Sequence, residues 1–194
     1  MKKNILSLLL FFSLISLAQQ KKTSVELNYP IPTGSNFMSN YTGIIDIGVK
    51  YRFSDQKDFT IGASLNASYL TYSMNNINIS FDTKNYNFQP RLFGELKLKG
   101  VPRLHPALGL GYTFMKFTTS GRAANPEDPN YNISESQNLN GLNYNISFSF
   151  DFSKKLFAQA QYDGVKITNT PYGVPDSSYN TNATFIKLGL GYRF

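Results

Sequence analysis

The residues able to carry acid–base or nucleophilic chemistry are few in this chain. His105 is the only histidine, and Cys is absent from the 194 residues. Nucleophilic catalysis needs a serine or cysteine beside such a base, and metal sites need clustered Cys, His or carboxylate ligands. His105 stands next to a short polar turn, which favours an interfacial or turn role. We therefore predict that the protein is not an enzyme and that it binds no cofactor or metal ion.

The charged residues show more order, because many of them alternate with apolar residues along the chain. This set comprises Glu26, Asp46, Lys50, Arg52, Arg91, Glu95, Lys97, Asp151, Asp163, Lys187 and Arg193. An alternation of period two places successive side chains on opposite faces of a β-strand. The charged set therefore belongs to one face of a sheet, and the apolar residues belong to the other.

Eight segments carry this alternation and are predicted to be strands. They are Thr23–Ile31, Thr42–Phe53, Phe59–Ser73, Lys84–Leu98, Leu104–Phe117, Gly141–Phe152, Leu156–Ile167 and Asn182–Phe194. Long connections (34–41, 74–83, 118–140 and 168–181) alternate with short ones, which puts the long loops at one end of an up-and-down sheet. Phe93 interrupts the fourth alternation and Pro90 lacks a backbone donor, so we expect a bulge or bend near Pro90.

The amino terminus has the pattern of an export signal. Lys2 and Lys3 precede the apolar run Ile5–Leu17, and Ser16-Leu17-Ala18 has the small-x-small form of a cleavage site. The apolar run is shorter than the roughly 20 residues that a spanning helix needs. We therefore predict a signal peptide over residues 1–18 and one barrel domain over residues 19–194.

The last strand indicates which kind of barrel this is. Leu190, Tyr192 and Phe194 share one face, and the sequence ends on Phe194. A soluble barrel would enclose this apolar face, whereas a membrane barrel turns it to lipid. Aromatic residues also recur near the strand ends, as in the interfacial girdles of membrane barrels. The girdle at the long-loop end is predicted to comprise Tyr41, Tyr69, Tyr72, Tyr86, Phe114 and Phe185. We therefore predict an all-β fold, an eight-stranded antiparallel up-and-down transmembrane β-barrel after a cleaved signal peptide.

The charged parity of such a barrel faces its lumen. We expect a lumen charge network of Glu26, Asp46, Arg91, Glu95, Asp163 and Lys187, with all but Glu26 near mid-height. A salt-bridged plug that satisfies the buried charges is the favoured interpretation. A gate whose ion pairs exchange to pass ions is the alternative. The interior of an eight-stranded barrel is just wide enough for side chains, which argues against a general diffusion pore.

The export signal, the eight amphipathic strands and the closing L-G-L-G-Y-R-F resemble the small outer-membrane β-barrel family, with its OmpX-like, OmpA-like and PorT-like members. The resemblance implies location in the outer membrane of a Gram-negative cell. It also implies that Tyr192 and Phe194 belong to an assembly signal read by the barrel assembly machinery. No peptidoglycan-binding domain follows Phe194, so the cell-wall anchoring role of two-domain members is not expected.

Three functions remain open, because this family does not have one activity. The favoured hypothesis is a structural or surface-interaction role through the long loops 118–140 and 168–181. The second is a narrow conduit for small or apolar solutes, and the third is an accessory subunit of an outer-membrane secretion machine. The expected partners are outer-membrane lipid, the barrel assembly machinery and a surface or secretion partner protein. Nucleic acid is not expected, since no basic cluster with interleaved aromatics is present, and the protein is expected to be a monomer.

Overall fold

Eight antiparallel strands close into one ring, in which each strand pairs with its neighbour in sequence and β1 pairs with β8. The structure is a computed structural model that describes residues 22–123, 131–170 and 173–194. The strands are β1 (Thr23–Thr33), β2 (Thr42–Asp55), β3 (Phe59–Asn75), β4 (Ile79–Leu96), β5 (Leu104–Ala123), β6 (Tyr131–Asp151), β7 (Leu156–Ile167) and β8 (Asn182–Arg193). A single helical turn, α1 (Ser178–Thr181), precedes β8. The predicted eight-stranded antiparallel barrel is confirmed, whereas the predicted signal peptide, residues 1–18, lies outside the described residues.

The alternation of the sequence decides which way each side chain points. On β6, Leu142 and Phe148 are exposed on the outer wall at 60% and 51%, while Asn143 and Asn145 are buried in the lumen. The apolar parity therefore faces outward, which is the arrangement that lipid requires and which a soluble barrel would reverse. Within the described part of the chain, no helix is long and apolar enough to cross a membrane.

The predicted bulge near Pro90 is wrong. Strands β3 and β4 keep one register from Phe59↔Leu96 to Asn75↔Ser80, straight through Leu65↔Pro90. Phe93 does not break the alternation either, because it lies on the inward parity and is 5% exposed. The register shifts lie on β2, between Gly43 and Ile45 and between Arg52 and Ser54.

In the upper part of the barrel, β1 and β2 lie in close backbone contact without ladder pairing. Ladder pairing stops at Asn28↔Asp46, just before Pro30, which has no backbone N–H to donate. A Cβ placed on Gly43 would lie only 1.6 Å from the carbonyl oxygen of Pro30. The absence of a side chain at Gly43 therefore lets the two backbones touch where the ladder ends.

Two of the predicted long loops are largely strand. The connection predicted at 74–83 is a tight turn at Asn76–Asn78, in which the Asn76 side chain accepts from the backbone amide of Ile79 at 2.9 Å. The connection predicted at 118–140 is mostly the paired upper ends of β5 and β6, which run up to Ala123↔Tyr131. Both faces of these ends are rich in Ser, Thr and Asn, so they carry no apolar alternation, yet backbone pairing does not depend on one.

An apolar cluster fills the lumen at the long-connection end, and we call it the apolar cap. It comprises Met38, Leu70, Met115, Phe117, Leu139, Val165, Ile167, Ala183 and Phe185. Phe185 was predicted on the outer girdle but is 1% exposed and faces inward. The mistake arose because aromatic character, and not parity, was used to place it. The placement of Tyr41 on the outer girdle is wrong as well, since Tyr41 packs against the cap.

Met38 reaches the cap because the β1–β2 connection turns back into the barrel. Gly34 adopts a φ of +77°, a conformation that favours glycine. The buried Asn36 donates to the Thr33 carbonyl at 2.7 Å and accepts from the Met38 amide at 3.0 Å. These local bonds hold Met38, whose side chain is fully buried.

Candidate functional site

A layer of four charged side chains crosses the lumen below the apolar cap. Lys187 Nζ lies 2.6 Å from Asp46 Oδ2 and 2.9 Å from Asp163 Oδ2. Arg91 Nη2 lies 2.6 Å from the same Asp163 oxygen. The four residues come from β2, β4, β7 and β8 and are all at most 5% exposed. Two acids and two bases thus neutralise one another across the barrel, as a buried charge requires.

Side-chain amides complete the hydrogen bonding of this layer. Asp46 Oδ1 accepts from Asn28 at 2.8 Å and from Asn66 at 2.9 Å. Asp163 Oδ1 accepts from Asn145 at 2.6 Å. Arg91 Nε donates to Asn143 Oδ1 at 2.9 Å. Each carboxylate is bonded by at least one cation and at least one side-chain amide. The layer can therefore remain ionised although it is buried.

Glu26 and Glu95, which were predicted in the same network, lie in separate pairs nearer the short-turn end. Glu26 Oε1 lies 2.7 Å from Lys50 Nζ, and Glu95 Oε2 lies 3.0 Å from Arg52 Nη2. Glu95 was expected at mid-height, but its cross-strand partner is Thr60, the second residue of β3. The expected single network is therefore split into levels, because β-sheet register, which the sequence does not reveal, sets the height of each residue.

His105 lies at the same end of the lumen, where its Nδ1 is 3.9 Å from Glu95 Oε1. Its Nε2 lies 3.0 Å from Asp151 Oδ2, and Asp151 also pairs with Arg193. His105 is the second residue of β5, so it points into the barrel mouth and not into a turn. No described group of three or more His, Cys, Asp or Glu is arranged to hold a metal ion.

Two aromatic side chains also face the lumen, which the sequence analysis did not foresee. Phe93 is flanked by Lys50 and Arg52 at 5.9 and 6.0 Å from its ring centroid. The Arg193 guanidinium lies 4.6 Å from the Phe157 ring. Parity could have identified both, since Phe93 shares the inward face of Arg91 and Phe157 shares the inward face of Gln159. These rings pack against the cations and fill space that the small polar residues leave.

One buried amide has no partner. Asn85 on β4 is fully buried, and neither its Oδ1 nor its Nδ2 forms a hydrogen bond within the described residues. Its cross-strand neighbours are Leu70 and Phe117 of the apolar cap. An unpaired amide in such surroundings costs stability.

The closing aromatics lie at the opposite end from the cap. Tyr192 faces outward, and its ring centroid lies 5.1 Å from that of Phe194. The Phe194 amide donates to the Thr23 carbonyl at 3.1 Å. These contacts give the position of the two residues, and their role as an assembly signal stays a prediction.

At the long-connection end, four strands rise above the rest of the barrel. Pairing between β6 and β7 begins only at Gly141↔Ile167, whereas pairing between β5 and β6 continues to Ala123↔Tyr131. Above Gly141, no strand in the described ranges pairs with the β7-facing side of β6. We call residues 131–137 of β6 the free edge.

The register tells which backbone groups the free edge presents. The Asn140 carbonyl accepts from the Thr168 amide at 2.8 Å, so Asn140 directs its backbone groups toward β7. Backbone direction alternates along an antiparallel strand, which assigns the same direction to Asn132, Ser134 and Ser136. Asn169 closes the lower limit of the edge, since its side-chain oxygen accepts from the Asn140 amide at 2.6 Å and its side-chain amide donates to the Asn138 carbonyl at 3.3 Å.

The wall, the polar lumen and the closed ring can now be compared with known proteins. The sequence matches the family described as "Outer membrane protein beta-barrel domain" over residues 5–194. A search of the curated proteins finds no matching sequence.

Solved structures of outer-membrane and surface proteins share the fold. Ail, the attachment invasion locus protein of Yersinia pestis, aligns with a TM-score of 0.56 at 17% identity, over 89% of this chain and 96% of that chain. Neisserial surface protein A aligns at 0.54 and 14% identity, over 89% and 96%. A major outer membrane protein from Thermus thermophilus aligns at 0.58 and 13% identity, over 89% and 99%. The family match covers nearly the whole chain, and the chain therefore belongs to the outer membrane protein beta-barrel domain family and lies in the outer membrane.

Proposed function

We propose that this protein acts at the cell surface, by presenting the free edge of β6 to an extended segment of a partner protein. The observation that carries the proposal is the row of backbone groups at Asn132, Ser134 and Ser136 that no described strand pairs. Such a row is a template for strand addition, in which main-chain hydrogen bonds supply much of the affinity. This refines the loop hypothesis, because the binding element is a strand edge and not an irregular loop.

The composition of the free edge supports this use. Natural proteins protect exposed edges with lysine, proline or bulges. The free edge reads Y-N-I-S-E-S-Q, in which Glu135 is the one charged residue and neither Lys nor Pro occurs, and its pairing with β5 has no register shift. A straight edge without lysine, proline or a bulge is suited to accept another strand.

The conduit hypothesis draws less support from the lumen. The apolar cap and the charge layer beneath it succeed one another along the barrel axis, and their side chains are buried. A solute would have to displace both layers. The secretion-accessory hypothesis, contact with the barrel assembly machinery and a monomeric state stay predictions from the sequence.

A proline exchange tests the proposal, because proline removes an edge N–H without removing a bond to β5. The double variant Ser134→Pro/Ser136→Pro should retain the barrel, and Ser134→Ala/Ser136→Ala is the matched control. Random octapeptides displayed on phage are selected on the alanine variant and then scored on both. We expect binding of the selected peptides to fall at least tenfold with proline. Equal binding by the folded proline and alanine variants would contradict the proposal.

A further inference from the structure

A small cavity lies at the mouth of the barrel at the long-connection end, directly above the apolar cap. Its volume is ≈ 210 Å³. The inner faces of β4, β5 and β6 form one wall, and the β1–β2 and β7–β8 connections form the other. The Phe37 amide donates to the Tyr179 carbonyl at 3.1 Å, which ties these two connections together. The cavity is therefore bounded by elements that are fixed relative to one another.

Aromatic rings line this cavity. The Phe117 ring centroid lies 6.1 Å from that of Phe37 and 5.9 Å from that of Tyr41. Phe117 and Leu139 belong to the apolar cap, so they close the floor of the cavity. Edge-to-face and tilted arrangements of this kind favour the addition of a further ring.

The polar groups of the lining are neutral. Thr83 and Thr119 share a hydrogen bond of 2.9 Å between their hydroxyls. Burial raises the pKa of Tyr41 to about 12, so its hydroxyl stays protonated at neutral pH. Gln137 and Asn180 add side-chain amides. None of the described lining residues carries a charge, which disfavours a charged ligand.

We infer that the mouth cavity is a binding site for a neutral aromatic ring that carries one hydrogen-bonding group. An apolar cavity of about 150 Å³ is known to hold benzene, so the present volume suits a ring of the size of phenol or indole. The rings of the lining contact its faces, and the threonine and amide groups bond its polar atom. The site is blind, because the apolar cap lies beneath it, so the ring is held and not passed through the barrel.

Indole fluorescence provides a direct test, because the chain contains no Trp. The refolded full barrel is titrated with 3-methylindole under excitation that is selective for indole. Saturable blue-shifted emission is expected. Thr119→Phe fills the cavity and should weaken binding at least tenfold. Thr118→Phe is the matched control, because Thr118 is exposed on the outer face of the same strand, and it should bind like wild type.

Charge provides a second test that does not depend on filling the site. Gln137 is exposed at the rim, so Gln137→Glu should fold normally. The Gln137→Glu variant should bind 3-methylindole more weakly than the wild type does. The wild type should bind the anionic indole-3-acetate at least tenfold more weakly than it binds 3-methylindole. Equal responses from wild type, Thr119→Phe and Thr118→Phe would overturn the inference, as would equal affinity for the neutral and anionic rings.

The ring could come from a free molecule or from an aromatic side chain of a partner, and a third arm distinguishes these sources. A neutral extended pentapeptide with a central Trp is compared with 3-methylindole. If the peptide binds more tightly than 3-methylindole, and if Ser134→Pro/Ser136→Pro abolishes this tighter binding, the ring is a side chain delivered along the free edge. Equal binding of both probes identifies a free molecule. The inference does not depend on the proposed function, since 3-methylindole can occupy the cavity whether or not the edge binds a strand.

Discussion

At mid-lumen, Lys187 contacts the carboxylates of both Asp46 and Asp163, at 2.6 and 2.9 Å. Arg91 contacts only Asp163. Asp46 therefore has Lys187 as its one ion-pair partner among the described residues, and its remaining bonds come from neutral side chains. Desolvated carboxylates that lose a cation are costly, because neither solvent nor a rearranged side chain replaces the lost charge.

Replacing Lys187 should therefore weaken the barrel strongly. We expect Lys187→Met to lower the free energy of unfolding by about 3–5 kcal/mol, the range for a broken buried ion pair. Urea unfolding of the barrel in lipid vesicles provides the measurement. Lys57→Met, in the exposed turn between β2 and β3, is the control and should have little effect. Similar stability of the two variants would show that the charge layer does not depend on Lys187.

The opposite effect is expected at Asn85, because its buried amide has no hydrogen-bond partner in the part of the chain that the structure describes. Asn85→Leu should raise the free energy of unfolding by about 1–2 kcal/mol, since the desolvated amide is replaced by a group that suits Leu70 and Phe117. Asn66→Leu is the matched control. It removes the 2.9 Å bond to Asp46 and should destabilise the barrel. Destabilisation by both exchanges would show that Asn85 is satisfied.

At the scale of the strands, apolar alternation predicted the membrane-facing parts and missed the rest. The bounds of β7, Leu156–Ile167, were predicted correctly because its outward parity is apolar from Leu156 to Tyr162. The sequence predicts a loop at the upper ends of β5 and β6, because polar residues occupy both faces there, whereas the structure pairs these ends. Burial in lipid imposes a pattern on a sequence, whereas pairing above the membrane imposes none.

The inside of the barrel was predicted less well than its wall. The charged residues were assigned to the lumen from parity alone, and the structure buries Asp46, Arg91, Asp163 and Lys187 together. Which charges meet depends on strand register, and register is set by cross-strand contacts that a single sequence does not display. The apolar cap was missed because the expected polar lumen left no place for Phe185 or Met38.

Hydrogen exchange can establish the state of the free edge residue by residue. The amides of Ser134 and Ser136 should exchange rapidly in the isolated barrel, because they face the unpaired side. The amides of Ile133 and Glu135 face β5 and should exchange more slowly, by about tenfold or more for a closed ladder. Nuclear magnetic resonance of the refolded protein provides the rates. Equal protection along residues 133–136 would mean that another segment covers the edge.

At the scale of the whole molecule, the barrel combines a filled interior with an open exterior. Two layers obstruct the axis, the apolar cap at the long-connection end and the charge layer below it. The mouth at the long-connection end carries both the free edge and the small cavity above the cap. Both features lie on the open side of the cap, which is why we propose a surface role for the protein and not a transport role.

Electrical recording tests this division most directly. The refolded full barrel is inserted into a planar lipid bilayer at neutral pH, and insertion is verified by the heat-modifiable electrophoretic migration of the recovered protein. A filled lumen predicts no steady open level above the bilayer background. Steady, large single-channel currents from the folded barrel would contradict the account.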